Sequence, residues 1–208
     1  MLLALDTSAG TSAAVVRDGR VLARAEEAGT RSHAEVVGVL IADALAGADV
    51  SPRDLDGVAV GMGPGPFTGL RVGIAAARAV AGALGIPVLP VVSPDALALG
   101  RAEPTLVVTD ARRRESAWTL YDTPDAEGLP VRRAGPAHAP SDAVEEAAAA
   151  LASGIRFTRL DASLIPADAL GLLAERLLAL GRPLGPAEPL YLRAPDASPP
   201  GAPKRVSA

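Results

Sequence analysis

Gly61-Met62-Gly63-Pro64-Gly65-Pro66-Phe67-Thr68-Gly69-Leu70-Arg71 is a glycine- and proline-rich loop that leads directly into a helix. Two kinds of chemistry fit it. Free N–H groups at a helix start, beside glycines that let a ligand approach the backbone, suit an anion or a nucleotide, and Arg71 adds positive charge in the first turn. A tight strand-to-helix connection uses the same glycines for positive φ, and Pro64 and Pro66 favour it because each removes an N–H donor. Around this loop, residues 55–60 read as a buried strand, 68–84 as a helix and 87–92 as another strand. Upstream, residues 2–5, 11–17 and 21–26 read as short strands separated by Ser8-Ala9-Gly10 and by the Asp18-Gly19 hairpin signal. Ser32 followed by Glu35 is a capping box, and Val36, Val37, Leu40, Ile41, Ala44 and Leu45 then recur at helical spacing up to Gly47. Strands paired antiparallel first and crossed by helices afterwards predict a mixed α/β sheet.

Downstream, a short helix over residues 94–99 is followed by Gly, Pro and charge at 100–104, the best place for a lobe boundary. Strands at 105–109 and 116–121, an alanine-rich helix at 141–151, a strand at 155–160 and a helix at 167–180 make up a second lobe. Beyond Arg193 the chain is too rich in Pro, Ala and Ser to pack. The expected division is residues 1–100 as the first lobe, 104–193 as a smaller second lobe and 194–208 as a disordered tail.

Composition removes several chemistries. The chain has 208 residues, 49% of them hydrophobic but only 2% aromatic, so its core must be aliphatic and closely packed through small side chains. With no cysteine, disulfides, thiolate zinc sites and cysteine nucleophiles are excluded. The two histidines, His33 and His138, lie far apart, so no helical His pair for a metal can be written. The only lysine, Lys204, sits in the tail, which removes a P-loop lysine and a buried Schiff-base lysine. A net charge of −4 leaves no global footprint for a polyanion, and the runs Arg112-Arg113-Arg114 and Arg132-Arg133 read as solvated surface. The apolar opening meets Asp6 at once and lacks a basic leader, and residues 72–92 are interrupted by Arg78, Pro87 and Pro90. No signal peptide and no membrane span are expected, and a cytoplasmic protein is.

Three smaller features bear on function. Asp6-Thr7-Ser8 at the end of the first strand places a carboxylate and two hydroxyls where phosphate or Mg²⁺ could be met, although a turn-forming cluster is the more ordinary account. Gly69, Gly73, Ala77 and Ala81 recur every four residues and make a smooth ridge, which suits either the protein's own sheet or another subunit. His33 reads as a first-turn surface residue, His138 as a loop residue, and Asp110-Ala111-Arg112 as an Asp-Arg surface pair.

Asp6-Thr7-Ser8, Ser32-His33-Ala34-Glu35, Gly63-Pro64-Gly65-Pro66-Phe67-Thr68-Gly69-Leu70-Arg71-Val72-Gly73, Asp110-Ala111-Arg112 and Pro189-Leu190-Tyr191-Leu192-Arg193 together resemble the bacterial TsaB family of tRNA threonylcarbamoyladenosine biosynthesis, formerly YeaZ. The likeness runs in order from Met1 to about Ala194. It implies a two-lobed actin-like, sugar-kinase and heat-shock ATPase fold with a shortened second lobe. It also implies a non-catalytic accessory subunit for threonylcarbamoylation of N6 of adenosine 37 in tRNAs reading ANN codons. The implied partners are the catalytic transferase subunit, resembling TsaD, an ATPase subunit, resembling TsaE, and a second copy of this chain when the transferase is absent; tRNA would be met only through the complex. The family's partner contacts fall on the first two helices, here His33, Val36, Leu40, Gly69, Gly73, Ala77 and Ala81, so that Gly73→Leu is expected to weaken association while the monomer stays folded. Asp6, Thr7, Ser8, Gly63, Gly65, Thr68 and Arg71 are the candidates for nucleotide or anion contact. No cofactor of its own and no metal is expected, with ATP or ADP at a subunit interface as the place for a nucleotide. Pro66 stands where the family commonly has Ser, which removes a hydroxyl and an N–H from the loop. The competing activities are an ATP-dependent small-molecule kinase, a metalloprotease, which the histidine count opposes, and a tRNA carrier, which the net charge opposes.

Overall fold

The computed structural model describes residues 1–29 and 33–193. Its first sheet has five strands in the order β3-β2-β1-β4-β5, formed by β1 (Leu2–Asp6), β2 (Thr11–Arg17), β3 (Arg20–Glu27), β4 (Gly57–Gly61) and β5 (Val88–Val91). β1, β2 and β3 form the antiparallel meander, and β4 and β5 continue the sheet parallel to β1, with Leu3 opposite both Val15 and Val58. The second sheet, β8-β7-β6-β9, consists of β6 (Thr105–Asp110), β7 (Glu115–Tyr121), β8 (Arg132–Pro140) and β9 (Thr158–Ala162). Its order repeats the first sheet's 3-2-1-4 and stops one strand short, so the second lobe is the smaller of two related units.

Alternation along the strands builds one core on each face of the first sheet. Leu3, Leu5, Val15, Val58 and Val60 point to α1 (His33–Gly47) and α2 (Phe67–Leu84), where Leu40, Ala44, Leu70, Ile74, Ala77 and Ala81 meet them. Leu2, Ala4, Val16, Ala59 and Leu89 point the other way, to α5 (Ala167–Ala179) and its Leu170, Leu173 and Ala174. A Cβ on Gly171 would lie 2.8 Å from Val16, so α5 rests directly on the sheet. The chain therefore returns from the second lobe to complete the first. The break at 100–104 separates the two sheets but not the two cores, and the expectation that 104–193 stays in its own lobe is corrected by α5. The second lobe's own core is Leu106, Val108, Trp118 and Leu120 under α4 (Val144–Leu151). A short helix, α3 (Ser93–Ala98), links β5 to the second sheet.

The expected strands and helices of the first half are present, with ends shifted by a few residues. α2 stops at Gly85, whose φ of +67° lets its N–H close on Ala81 O. α2 is long and apolar enough, at 18 residues, to cross a membrane by length and composition, yet its Gly69–Ala81 side lies in the core of this fold. β8 was not expected; its Arg-Arg-Ala-Gly-Pro-Ala-His-Ala-Pro sequence has little β-propensity, and it is held by pairing with β7. It takes in His138, read above as a loop residue, and Arg132-Arg133, read as solvated: Arg132 pairs with Asp95 at 3.0 Å and Arg133 with Asp122 at 2.7 Å. The Ser32 cap and the tail at 194–208 lie outside the described residues.

Candidate functional site

The end of β1 is a closed polar knot. Asp6, Thr7 and Ser8 are each at most 2% exposed. Asp6 Oδ1 accepts from Ser8 N at 2.7 Å and from Ser8 Oγ at 2.6 Å, an Asx turn of the kind the sequence suggests. Thr7 Oγ1 donates to Gly69 O at 2.7 Å and accepts from Gly73 N at 3.1 Å, so one side chain ties the turn to the second helix. The glycine loop lies on this turn without a gap. A Cβ on Gly65 would fall 2.6 Å from Ser8 O, and one on Gly61 would fall 1.7 Å from Asp6 Oδ2. Gly63, at φ +89°, gives its N–H to Ser93 Oγ at 3.0 Å, and Met62 gives its own to Val91 O at 2.8 Å. Ser93 and Gly61 thus belong to the knot; Gly61 opens the glycine-rich loop, whereas no local sequence signal marked Ser93.

The sequence-predicted contact residues Asp6, Thr7, Ser8, Gly63 and Gly65 are brought together, but as packed neighbours of one another. Among the described residues Asp6 Oδ2 has no hydrogen-bond partner. Burial raises the Asp6 carboxyl from 3.8 to about 6, against the opposing influence of the Ser8 hydroxyl, the Ser93 hydroxyl and the Ser8 N–H. Thr68 is exposed. Arg71 turns away from the loop: its guanidinium carbon lies 3.6 Å from the Phe67 ring centre and its Nε donates to Tyr191 OH at 3.2 Å. Tyr191 also packs on Phe67 with ring centres 4.8 Å apart, Leu190 N donates to Met62 O, and Arg193 pairs with Glu115. The Pro189–Arg193 motif is a strap over the start of α2 that reaches the second lobe. Asp110 Oδ1 accepts from Arg112 N at 2.9 Å, so the Asp-Ala-Arg motif shapes a turn in which Arg112, Arg113 and Arg114 all have left-handed backbone.

The ridge faces inward, which corrects its assignment to a partner interface. Gly69, Gly73, Ala77 and Ala81 are buried in the chain's own core. A Cβ on Gly73 would lie 2.3 Å from Thr7 Oγ1, and one on Gly69 2.7 Å from Thr7 O and 3.1 Å from His33 Nε2. The small side chains serve the approach of α2 to the β1 turn. Leu40 is buried too, Val36 is half-buried, and His33, expected on the surface, is 7% exposed with Nδ1 2.7 Å from Thr11 Oγ1. Burial first, and then the positive charge of Arg112, hold His33 below its usual pKa.

The opposite sides of the two helices carry a second set of small residues. On α1, Ala34, Gly38, Ala42 and Ala46 are exposed at four-residue spacing beside Val39, which is 56% exposed. On α2, Ala75, Ala79, Gly82 and Ala83 are exposed, and Cβ atoms on Gly38 or Gly82 would meet nothing within 4 Å. This outer face is rich in small apolar residues and also carries the exposed Glu35, Asp43, Arg71 and Arg78. Among the described residues no group of three or more His, Cys, Asp or Glu is placed to hold a metal ion.

Known proteins match both sequence and fold. The family described as "TsaD: tRNA N6-adenosine threonylcarbamoyltransferase" matches residues 21–152. An uncharacterized protein of Mycobacterium tuberculosis is 44% identical over 207 residues, covering 95% of this chain and 94% of the relative. A crystal structure from Pseudomonas aeruginosa, described as an uncharacterized protein with similarity to peptidase YEAZ, superposes with a TM-score of 0.75 at 30% identity, covering 92% of this chain and 99% of that one. YeaZ from Pseudomonas aeruginosa superposes with a TM-score of 0.72 at 28% identity over the same shares. With its two sheets in related order, its glycine loop folded onto the β1 turn and these matches along nearly its whole length, the chain belongs to the YeaZ/TsaB family of proteins related to the transferase TsaD and has the family's two-lobed, actin-like α/β fold.

Proposed function

We propose that this protein is a non-catalytic accessory subunit in threonylcarbamoylation of N6 of adenosine 37 in tRNAs that read ANN codons, and that it holds a TsaD-like transferase subunit through the outer face of α1 and α2. The observation that carries this is the small-residue face itself, which no described residue covers at Gly38 or Gly82. Ala34, Gly38 and Ala42 on one helix and Ala75, Ala79 and Gly82 on the other carry no side chain larger than a methyl group, which favours close approach of two further helices at those positions. Kinship with YeaZ, a relative of the transferase, supports the accessory role. A second copy of this chain uses the same face when the transferase is absent, an ATPase subunit docks beside it, and tRNA is met only through the complex. The glycine loop is a weak place for a nucleotide: two of its N–H groups are spent inside the protein and two positions are proline. ATP or ADP therefore belongs at the boundary between subunits.

The test is formation of threonylcarbamoyladenosine on tRNA by the purified pathway proteins, with this protein present, omitted or carrying Gly38→Leu. Omission abolishes product, and the protein alone makes none. Gly38→Leu lowers product formation by about tenfold or more, equivalent to about 1.4 kcal/mol of lost association, while the isolated protein melts no lower than wild type because the exposed helical position gains helix propensity. Full product without the protein defeats the accessory role. Full product with Gly38→Leu moves the interface elsewhere.

A further inference from the structure

A second polar site lies between the lobes on the α5 side of the first sheet. An open cavity of about 200 Å³ is bounded by the end of β5 and α3, by the connection from β7 to β8, and by the segment that follows α5. Pockets for drug-sized ligands begin at about 300 Å³, so this one suits a smaller molecule. Its floor is aliphatic, with Val91, Leu129, Leu173, Leu177 and Leu184.

Three ion pairs stand over that floor, one made by Arg132 and two by Arg182. Asp95, with its side chain 14% exposed, accepts on Oδ1 both from Tyr121 OH at 2.6 Å and from Arg132 Nε at 3.0 Å. Among the described residues its other oxygen, Oδ2, takes no hydrogen bond and Arg132 uses none of its terminal nitrogens on a protein acceptor. Across the cavity Arg182 pairs with Asp125 at 3.1 Å and with Glu127 at 3.2 Å. Burial raises the Asp95 pKa while Arg132 and Tyr121 oppose the rise, so the carboxyl is a perturbed group in a cleft, where binding groups concentrate.

We propose that this cavity binds a small free α-amino acid with an aliphatic side chain, its ammonium on Asp95 Oδ2, its carboxylate on the terminal nitrogens of Arg132 and its side chain on the leucine and valine floor. Each charged group of the pair has an unused valence for the opposite charge of a zwitterion. A lone anion or a lone cation would meet both signs at once and gain less. Asp95 comes from the first lobe, Tyr121 and Arg132 from the second, so a bound amino acid would bridge the lobes. This site lies apart from the outer face of α1 and α2 and does not depend on the accessory role.

The experiment is calorimetric and ligand-observed NMR titration of the full chain with L-valine and L-alanine, with isobutylamine and isobutyrate as the two half-charged probes. Saturable binding of at least one amino acid below about 20 mM is expected, with each half-charged probe weaker by about tenfold or more. Asp95→Asn keeps an acceptor for Tyr121 and is expected to weaken the amino acid by a similar factor in a protein that still folds, as read by its circular dichroism spectrum. Absence of saturable binding for both amino acids, equal binding of the half-charged probes, or unchanged affinity in a folded Asp95→Asn protein overturns the proposal. If that variant does not fold, the four wild-type titrations decide alone.

Discussion

The two sides of α2 carry nearly the same chemistry and do opposite work. On the inner side Gly69, Gly73, Ala77 and Ala81 recur every four residues, and on the outer side Ala75, Ala79, Gly82 and Ala83 are almost as small. Inside, the absent side chains are filled by the β1 turn, with Thr7 Oγ1 where a Gly73 Cβ would stand. Outside, a Cβ on Gly82 meets nothing. A small-residue stripe therefore shows that something must come close, and only the neighbouring atoms show whether the neighbour is the protein itself or another molecule. The expectation that Gly73→Leu leaves the monomer folded fails for this reason.

Substitutions on the two sides should separate them sharply. Gly73→Leu drives a branched chain into Thr7 and is expected to cost about 3 kcal/mol or more, read as a collapse of the urea unfolding midpoint. A midpoint close to wild type would return the ridge to the surface. Asp6→Asn, in the same turn, should act in the other direction. The folded protein holds the Asp6 proton up to about pH 6 and the unfolded chain up to about 3.8, so the stability that this carboxyl supports is full below the lower value and is lost as pH rises through the upper one. Asparagine mimics the protonated form. The variant is expected to match wild type near about pH 4 and to exceed it by about 3 kcal/mol above about pH 7. Equal stability at both pH values would mean that the carboxyl is solvated.

Smaller effects refine the contrast. Thr7→Val removes the donor to Gly69 O and the acceptor for Gly73 N, and is expected to cost about 2 kcal/mol in chemical denaturation. A loss under about 0.5 kcal/mol would leave α2 anchored by packing alone. Gly82→Ala, on the outer side, should stabilise the isolated protein by about 0.5–1 kcal/mol through helix propensity, since its methyl group touches nothing. Destabilisation there would place an unexpected neighbour on the outer face.

The strands and helices of the first half were legible because their signals are local. Leucine and valine alternation in residues 2–5, the Asp18-Gly19 turn and the helical spacing after His33 depend only on neighbours in sequence. β8 was not, because Gly135, Pro136 and alternating alanines carry no strand signal of their own and the strand exists only against β7. His33 looked like a surface residue because a helix's first turn is usually solvated, and Thr11, from another strand, encloses it. The membership of Asp6, Thr7, Ser8, Gly63 and Gly65 in one site was readable from motifs. That the site is filled by its own chain was not.

By itself the sequence determined the aliphatic, small-residue core, the order of strands and helices through the first lobe, and the absence of cysteine and histidine-pair chemistry. These follow from composition and from periods of two and 3.6 residues, which each stretch of chain carries alone. The tertiary structure decided which stripe of α2 lies inside, that α5 crosses back to finish the first lobe's core, and that Asp95, Tyr121 and Arg132 meet over a cavity. Amphipathic period fixes that a face must be covered, but the covering surface is chosen by long-range packing, where the free energy depends on atoms far apart in sequence.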